Sequence, residues 1–445
     1  MTTPIADFVK AYAKSGVSRF HMPGHKGKSV LGCEELDITE ISGADVLYSP
    51  DGIIAESESN ASRLFDSAHT FYSTEGSTLA IKAMLALIKK SAPADRRTRI
   101  LAARNVHKAF IYACALLDID AEWLYPAHFT HLCECVISPC ELRTKLASLD
   151  SLPDAVYITS PDYLGNIADI KGLSEVCREH GIPLLVDNAH GAYLAFCEPS
   201  MHPLALGADM CCDSAHKTLP VLTGGAYLHV SKNFGVSEQK VRSALSLFAS
   251  TSPSYLIMQS LDLCNAYLDG EFRTELAECI RELDAIKAKL CARGIEVEPS
   301  EPLKLVFNSA KCGYFGDELA RLMKNVGIEP EFSDADTLVL MFSPSLRRED
   351  ISKLTALLST LKPRKRVNLP SLPAPDEPVR AKSIREAIFC ASMTVSLDEA
   401  IGKVCASPTV SCPPAVPVVM SGEVISERSI ALMRHYGIEK IDVIK

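Results

Sequence analysis

The segment Asp213-Ser214-Ala215-His216-Lys217-Thr218 sets a lysine between hydroxyls and beside an imidazole, directly after the apolar run Met210-Cys211-Cys212. A lysine in that setting, its pKa lowered by burial, is equipped to form a Schiff base with a carbonyl compound. Thirty residues earlier, Asp187 follows the apolar run Pro183-Leu184-Leu185-Val186. A carboxylate held at the end of a buried strand wants a cationic partner, and a protonated pyridine nitrogen is one. Gly76-Ser77-Thr78 opens a stretch of helical periodicity. Free backbone N–H groups, two hydroxyls and the helix dipole there make a cradle for a phosphate. His107, in the run Ala103-Arg104-Asn105-Val106-His107-Lys108, offers an imidazole able to stack on a flat ring. Singly these are ordinary features: a helix cap, a structural Asp, a solvated loop His. Their order along one chain is what gives them weight.

The elements that must position these residues follow from periodicity. Between about residues 65 and 235, short β-rich runs alternate with helical patterns. Ser77 to Lys90 reads as a helix with Ser-Thr as its N-terminal cap. Strands are predicted at 99–103, 155–159, 183–186, 209–212 and 225–230, and a helix at 171–180 that stops at Gly181 and Pro183. Such alternation predicts an α/β fold with a mostly parallel sheet covered on both faces. Ligands of such sheets bind beyond the carboxyl ends of the strands, so the polar strand ends are where chemistry belongs. Long helices are expected over 254–294. A small α+β unit follows at 295–361, with a strand at 304–308, a helix at 316–325, strands near 328–332 and 337–342, and a helix at 348–361. The expected organisation is an N-terminal segment 1–60, a large domain 61–294, a small domain 295–362, a linker 363–379 and a C-terminal domain 380–445. The linker is basic at Arg364-Lys365-Arg366 and carries Pro370, Pro373, Pro375 and Pro378, as a semi-rigid spacer does.

A chain of 445 residues suits two or three packed domains. A net charge of -9 argues against nucleic-acid partners, because phosphate binding wants a basic surface. No stretch approaches the roughly 18 apolar residues needed to span a bilayer. The start, Met1 to Gly16, lacks a basic segment followed by an apolar run, so a cytoplasmic protein without membrane partners is expected. Sixteen cysteines are scattered through apolar segments, and the closest pairs, Cys133/Cys135 and Cys211/Cys212, lack the two-residue gap of a redox dithiol or zinc knuckle. Structural thiols and no metal centre are therefore expected. Gly24-His25-Lys26-Gly27-Lys28-Ser29 ends like a nucleotide phosphate loop, but Met22 occupies the required first glycine and no convincing strand precedes it.

Phosphate cradle, stacking His, strand-end Asp and then Lys is the chain order of fold-type-I pyridoxal-phosphate enzymes. On more specific motifs the chain resembles the ornithine/lysine/arginine decarboxylase family, nearly end to end, in its short form without an extra N-terminal wing domain. Those motifs are Phe20-His21-Met22-Pro23-Gly24-His25-Lys26-Gly27, Arg104-Asn105 with His107-Lys108, and Ser160-Pro161-Asp162-Tyr163-Leu164-Gly165. Asp187 with Ala189-His190-Gly191-Ala192, Ser214 with His216-Lys217-Thr218-Leu219-Pro220, and Thr251-Ser252-Pro253-Ser254-Tyr255 complete them.

The resemblance implies an aspartate-aminotransferase-like large domain with small α+β C-terminal domains. It also implies pyridoxal 5'-phosphate as cofactor, decarboxylation of arginine, lysine or ornithine, and a homodimer or higher even oligomer. Lys217 would carry the cofactor, Asp187 bond the pyridine nitrogen, and His107 and Ala189 lie against the two ring faces. His190 would sit near the phenolic oxygen. Ser77, Thr78, Ser214 and His216 would hold the phosphate, at the helix start marked by Gly76, and Thr251 or Ser252 would reach it across a dimer interface. Lys217 and His216 are both candidates for the proton donor at Cα, and Asp45, Asp51 and Glu56 for the group that meets the substrate's distal cation.

Departures from the family pattern are Glu75, Asn188, Tyr193, Gly224-Gly225 and Ala415. The rival readings are another fold-type-I activity, such as an aminotransferase or aldol-type lyase, and a family member that has lost turnover.

Overall fold

The structure is a computed structural model that describes residues 1–368, 377–408 and 415–445. Pro370, Pro373 and Pro375 of the expected linker, and Pro413 and Pro414 near Ala415, lie outside the described residues.

Seven strands form one open sheet: β1 (His69–Ser73), β2 (Arg99–Ala103), β3 (Asp120–Leu124), β4 (Ala155–Thr159), β5 (Leu184–Asp187), β6 (Met210–Asp213) and β7 (Ala226–Val230), in the order β1-β7-β6-β5-β4-β2-β3. β5 and β6 pair in parallel, as do β2 and β3, while β7 runs antiparallel to both β6 and β1. Every residue of β5, β6 and β7 is buried, which is why these strands read as continuous apolar runs instead of alternating ones. The α/β sheet and five of its strands agree with the sequence reading. The outer strands β1 and β3 were not expected. β3, Asp120-Ala121-Glu122-Trp123-Leu124, is polar and only partly buried, so its strand character comes from pairing with β2.

The chain divides into two compact units. The first comprises Met1–Ala92, Asp154–Ile158 and Ile170–Thr274. It contains the helix Gly76–Ser91, whose Leu, Ile, Ala and Met side chains are buried and whose last turn carries Lys89 and Lys90, the charge sign a helix C-terminus favours. One correction concerns its start. The N-cap is Glu75, which makes no side-chain capping bond, and Ser77 and Thr78 lie inside the first turn. The Ser73 hydroxyl organises the entry instead, accepting from the Glu75 N–H at 3.1 Å and donating to the Gly76 carbonyl at 2.9 Å.

The second unit comprises Pro93–Pro153, Thr159–Asp169 and Glu275–Lys445. It holds an antiparallel sheet of β8 (Val297–Glu298), β9 (Lys304–Asn308), β10 (Phe332–Ser333) and β11 (Thr337–Met341), ordered β10-β11-β9-β8. A three-stranded sheet, β12 (Ser392–Ser396), β13 (Cys405–Ser407) and β14 (Lys440–Ile444), has β14 in the middle. The expected strand near 328–332 is reduced to the two residues of β10.

Candidate active site

Asp187 is the last residue of β5 and is 2% exposed. Tyr157, on β4, donates its hydroxyl to Oδ2 at 3.2 Å, the Ala189 N–H donates to Oδ1 at 3.2 Å, and the Cys212 thiol lies 3.6 Å from Oδ1. Burial and the Asp187 charge both push the Cys212 thiol up, so it stays a neutral S–H donor. The carboxylate is thus fixed in orientation by neutral groups, and among the described residues no cation lies against it. A buried anion in this condition suits a cationic heteroaromatic ring.

The parallel neighbour β6 ends in Asp213 and runs through Ser214 into the short helix Ala215–Thr218 that bears Lys217. Lys217 Nζ lies 3.0 Å from Nε2 of His190, three residues past Asp187. Lys217 is exposed rather than buried, which corrects the expectation that burial activates it. An adjacent imidazole, not desolvation, is what this chain places at the amine. His216 donates Nδ1–H to the Gly225 carbonyl at 3.0 Å. Burial lowers its pKa, and the neighbouring Lys217 charge adds to that.

At the start of helix Gly76–Ser91, Gly76 has φ +69° and open space where a side chain would be. Its N–H is bonded to the Gly224 carbonyl at 2.7 Å, so the amides of Ser77 and Thr78 are the first-turn donors. The Ser214 hydroxyl donates to Ser77 Oγ at 2.7 Å, joining this helix start to the end of β6. Two hydroxyls, a helix N-terminus and room above a glycine fit a phosphate group. The parts present therefore match a phosphorylated, aldehyde-bearing pyridine.

Residues 3–308 match the family described as Orn/Lys/Arg decarboxylase, major domain. The chain belongs to this family. Among its relatives, the uncharacterized protein YaaO of Bacillus subtilis (strain 168) is 30% identical over 97% of this chain and 93% of its own length. Arginine decarboxylase of the same organism is 28% identical over 96% of this chain and 92% of its own. The crystal structure of the Francisella novicida lysine decarboxylase LdcF matches with a TM-score of 0.85 at 18% identity, covering 100% of this chain and 81% of that one. That likeness bears on the fold, which is the fold-type-I architecture expected.

Several departures from the family pattern have local reasons. Glu75 turns to the loop before Thr251, where it accepts the Ser250 N–H at 2.6 Å. Thr251 and Ser252 are both exposed. At Gly224, φ is +99° and a Cβ would lie 3.0 Å from the Thr74 carbonyl, while at Gly225 it would meet Val221 at 2.3 Å. Tyr193 is wholly buried. Ala415 sits at φ +60°, a conformation that favours the glycine usual in the family.

Other sequence candidates have local partners of their own. His107 belongs to the second unit, where it caps the helix Lys108–Leu117 and accepts the Ala109 N–H on Nδ1 at 3.1 Å. Asp45 accepts backbone N–H groups from Val46, Asp51, Gly52 and Ile54. Burial alone would raise its pKa, but these donors hold it below the usual carboxylate range, and they leave it a structural residue. Glu56 accepts the Thr2 hydroxyl. The Gly24–Ser29 stretch has neither a strand before it nor a helix at its end, which removes the phosphate-loop reading. Two groups among the described residues, His202/Cys211/Asp213 and His131/Asp334/Asp336, bring potential metal ligands together. In the second, His131 Nδ1 accepts the Cys133 N–H, so the Nε2 proton goes to Asp334 and no ring lone pair is left.

Sequence reasoning missed Tyr157 and Cys212 as partners of Asp187. Their strands were predicted, and the parallel register that sets Cys212 beside Asp187 was the missing signal.

Proposed function

We propose that the protein holds pyridoxal 5'-phosphate on Lys217 and removes the α-carboxyl group of a basic amino acid, arginine, lysine or ornithine, as carbon dioxide. The observation that carries this reading is the pairing of two adjacent strand ends. One bears a buried carboxylate met, among the described residues, by neutral donors alone, and the other a lysine amine 3.0 Å from an imidazole. The bound cofactor supplies the sink for the electron pair left when the Cα–carboxyl bond breaks.

The chain's own residues do the rest. Asp187 keeps a proton on the ring nitrogen, and Tyr157 and the Ala189 N–H keep the carboxylate aimed. Ser77, Thr78, Ser214 and His216 anchor the phosphate, and Thr251 or Ser252 of a second copy completes that anchor. Ala189 lies against the ring, and His190 sits by its phenolic oxygen. Lys217, which shares a hydrogen bond with His190, returns a proton to Cα, with His216 the second candidate.

A homodimer or higher even oligomer is supported by Phe20, Val30 and Leu31, which are 97%, 82% and 86% exposed in one short N-terminal stretch. Apolar side chains so exposed mark an association surface. No helix among the described residues is long and apolar enough to cross a membrane, and we place the enzyme in the cytoplasm. The net charge of -9 goes with a cationic substrate and against nucleic acid.

The test is incubation of the cofactor-loaded protein with each of the three amino acids, following amine and carbon dioxide. Equimolar amine and carbon dioxide from at least one of them is expected. A keto acid in place of the amine, or no turnover of any of the three, contradicts the reading.

A further inference from the structure

Asp187 and Cys212 are register partners on β5 and β6, and their side chains meet on one face of the sheet. Side chains alternate along a strand, so the next residues, Asn188 and Asp213, turn to the other face. There they meet. Asn188 Nδ2 donates to Asp213 Oδ1 at 2.6 Å, and the Asn188 N–H donates to the Cys212 carbonyl at 3.0 Å. Both residues are 0% exposed.

The other carboxylate oxygen of Asp213 accepts from His202 Nε2 and His229 Nε2, each at 3.1 Å. His229 is held in turn by Thr70 at 2.8 Å, and Thr70 by Ser67 at 2.8 Å. Burial alone would raise the Asp213 pKa, but His202 and His229 beside it and the hydrogen bonds they give hold it well below the usual carboxylate range. Asn188 is also wedged. A Cβ on Gly191 would lie 2.0 Å from its Oδ1, so the glycine leaves room for the amide.

We propose that Asn188 and Asp213 are positioning residues: an amide–carboxylate clamp that locks the strand end bearing Asp187 and His190 to the strand end bearing Ser214 and Lys217. The inference rests on the cofactor reading above, because it gives the clamp its purpose. Ring-nitrogen partner, phosphate partner and amine anchor come from two separate strands, and one molecule can engage all three only at a fixed spacing. It also gives Asn188, a departure from the family pattern, a role in the site.

The test compares Asn188→Ala, Asp213→Asn and the double variant with the parent. The readouts are the Kd for pyridoxal 5'-phosphate from absorbance titration of the cofactor-free protein, its Tm, and kcat and KM. Each single variant should weaken cofactor binding about tenfold, or ~1.4 kcal/mol. The double variant should be no weaker than the weaker single, because one interaction is lost only once. KM for the amino acid should stay within about twofold, since the clamp does not touch substrate. Gly191→Ala drives a methyl group into the amide without altering the buried charge. It should give the same loss of affinity even if Asp213→Asn fails to fold.

Variants that bind the cofactor within twofold of a parent that binds it overturn the clamp alone. Fully multiplicative losses in the double variant do the same, as does a fall in Tm with no change in Kd. A parent with no adduct on Lys217 after borohydride reduction overturns the site reading and the clamp's role with it.

Discussion

Two buried charges in this molecule are treated in opposite ways. In the second unit, Arg104 gives two N–H groups to Glu423 at 2.9 and 2.7 Å and a third to the Val418 carbonyl at 3.2 Å, and its guanidinium lies 5.1 Å from the Trp123 ring centre. The charge is met inside the chain by a residue 319 positions away. In the first unit, Asp187 is as deeply buried and, among the described residues, meets only neutral donors. A buried charge matched by its opposite joins distant segments; one held by dipoles alone keeps its counter-charge for a ligand. The first kind is a fold element, and the second is what the proposed site requires.

Substitutions sharpen this contrast, beginning with the largest effect. Lys217→Ala should lower kcat by roughly 10³-fold or more with Tm nearly unchanged, since the amine is the proposed anchor of the cofactor and the residue is exposed. Kinetics and a thermal melt on one preparation check both halves. Glu423→Ala should do the reverse. It strands the Arg104 guanidinium and costs about 3–5 kcal/mol of stability by denaturant unfolding, while the activity of the fraction still folded persists. If Glu423→Ala instead removed activity with stability intact, the two buried charges would not differ in this way.

A smaller effect comes from Ala415, at φ +60°. Ala415→Gly should stabilise the protein by about 1 kcal/mol, because a Cβ is strained in the left-handed region. The smallest involves His216, whose pKa lies below its ordinary value of 6.5 chiefly through burial. Below about pH 6.5 the unfolded chain takes up a proton that the folded site resists. Stability attributable to His216 is therefore fully present above that pH and declines as the pH falls below it. His216→Asn should flatten this slope in Tm measured between pH 5 and 7.5. A slope that is unchanged, or that steepens, contradicts the assigned environment.

The parts of the site legible in the sequence are those whose signal is local. Asp187 and Lys217 each follow an apolar run of four or three residues, and buried strands announce themselves that way. What was not legible depends on pairing across the chain. β1 becomes a strand through β7, residue for residue from His69 against Val230 to Ser73 against Ala226. The imidazoles of His202 and His229 reach Asp213 from 11 and 16 residues away, and nothing around either marks it as buried. The helix start was misjudged because Ser-Thr is a good cap by type, whereas the backbone bond from Gly76 to Gly224 moves the cap to Glu75. Burial of Lys217 is expected from its place at a strand end, but the residue is exposed and its amine lies 3.0 Å from His190 Nε2.

The most direct measurement treats the cofactor-loaded protein with sodium borohydride, digests it, and locates the modified peptide by mass spectrometry. A pyridoxyl mass on Lys217, and its loss in Lys217→Arg, is the predicted result. Modification of another lysine, or an unmodified digest from protein saturated with the cofactor, would contradict the assignment of this strand end as the reacting centre.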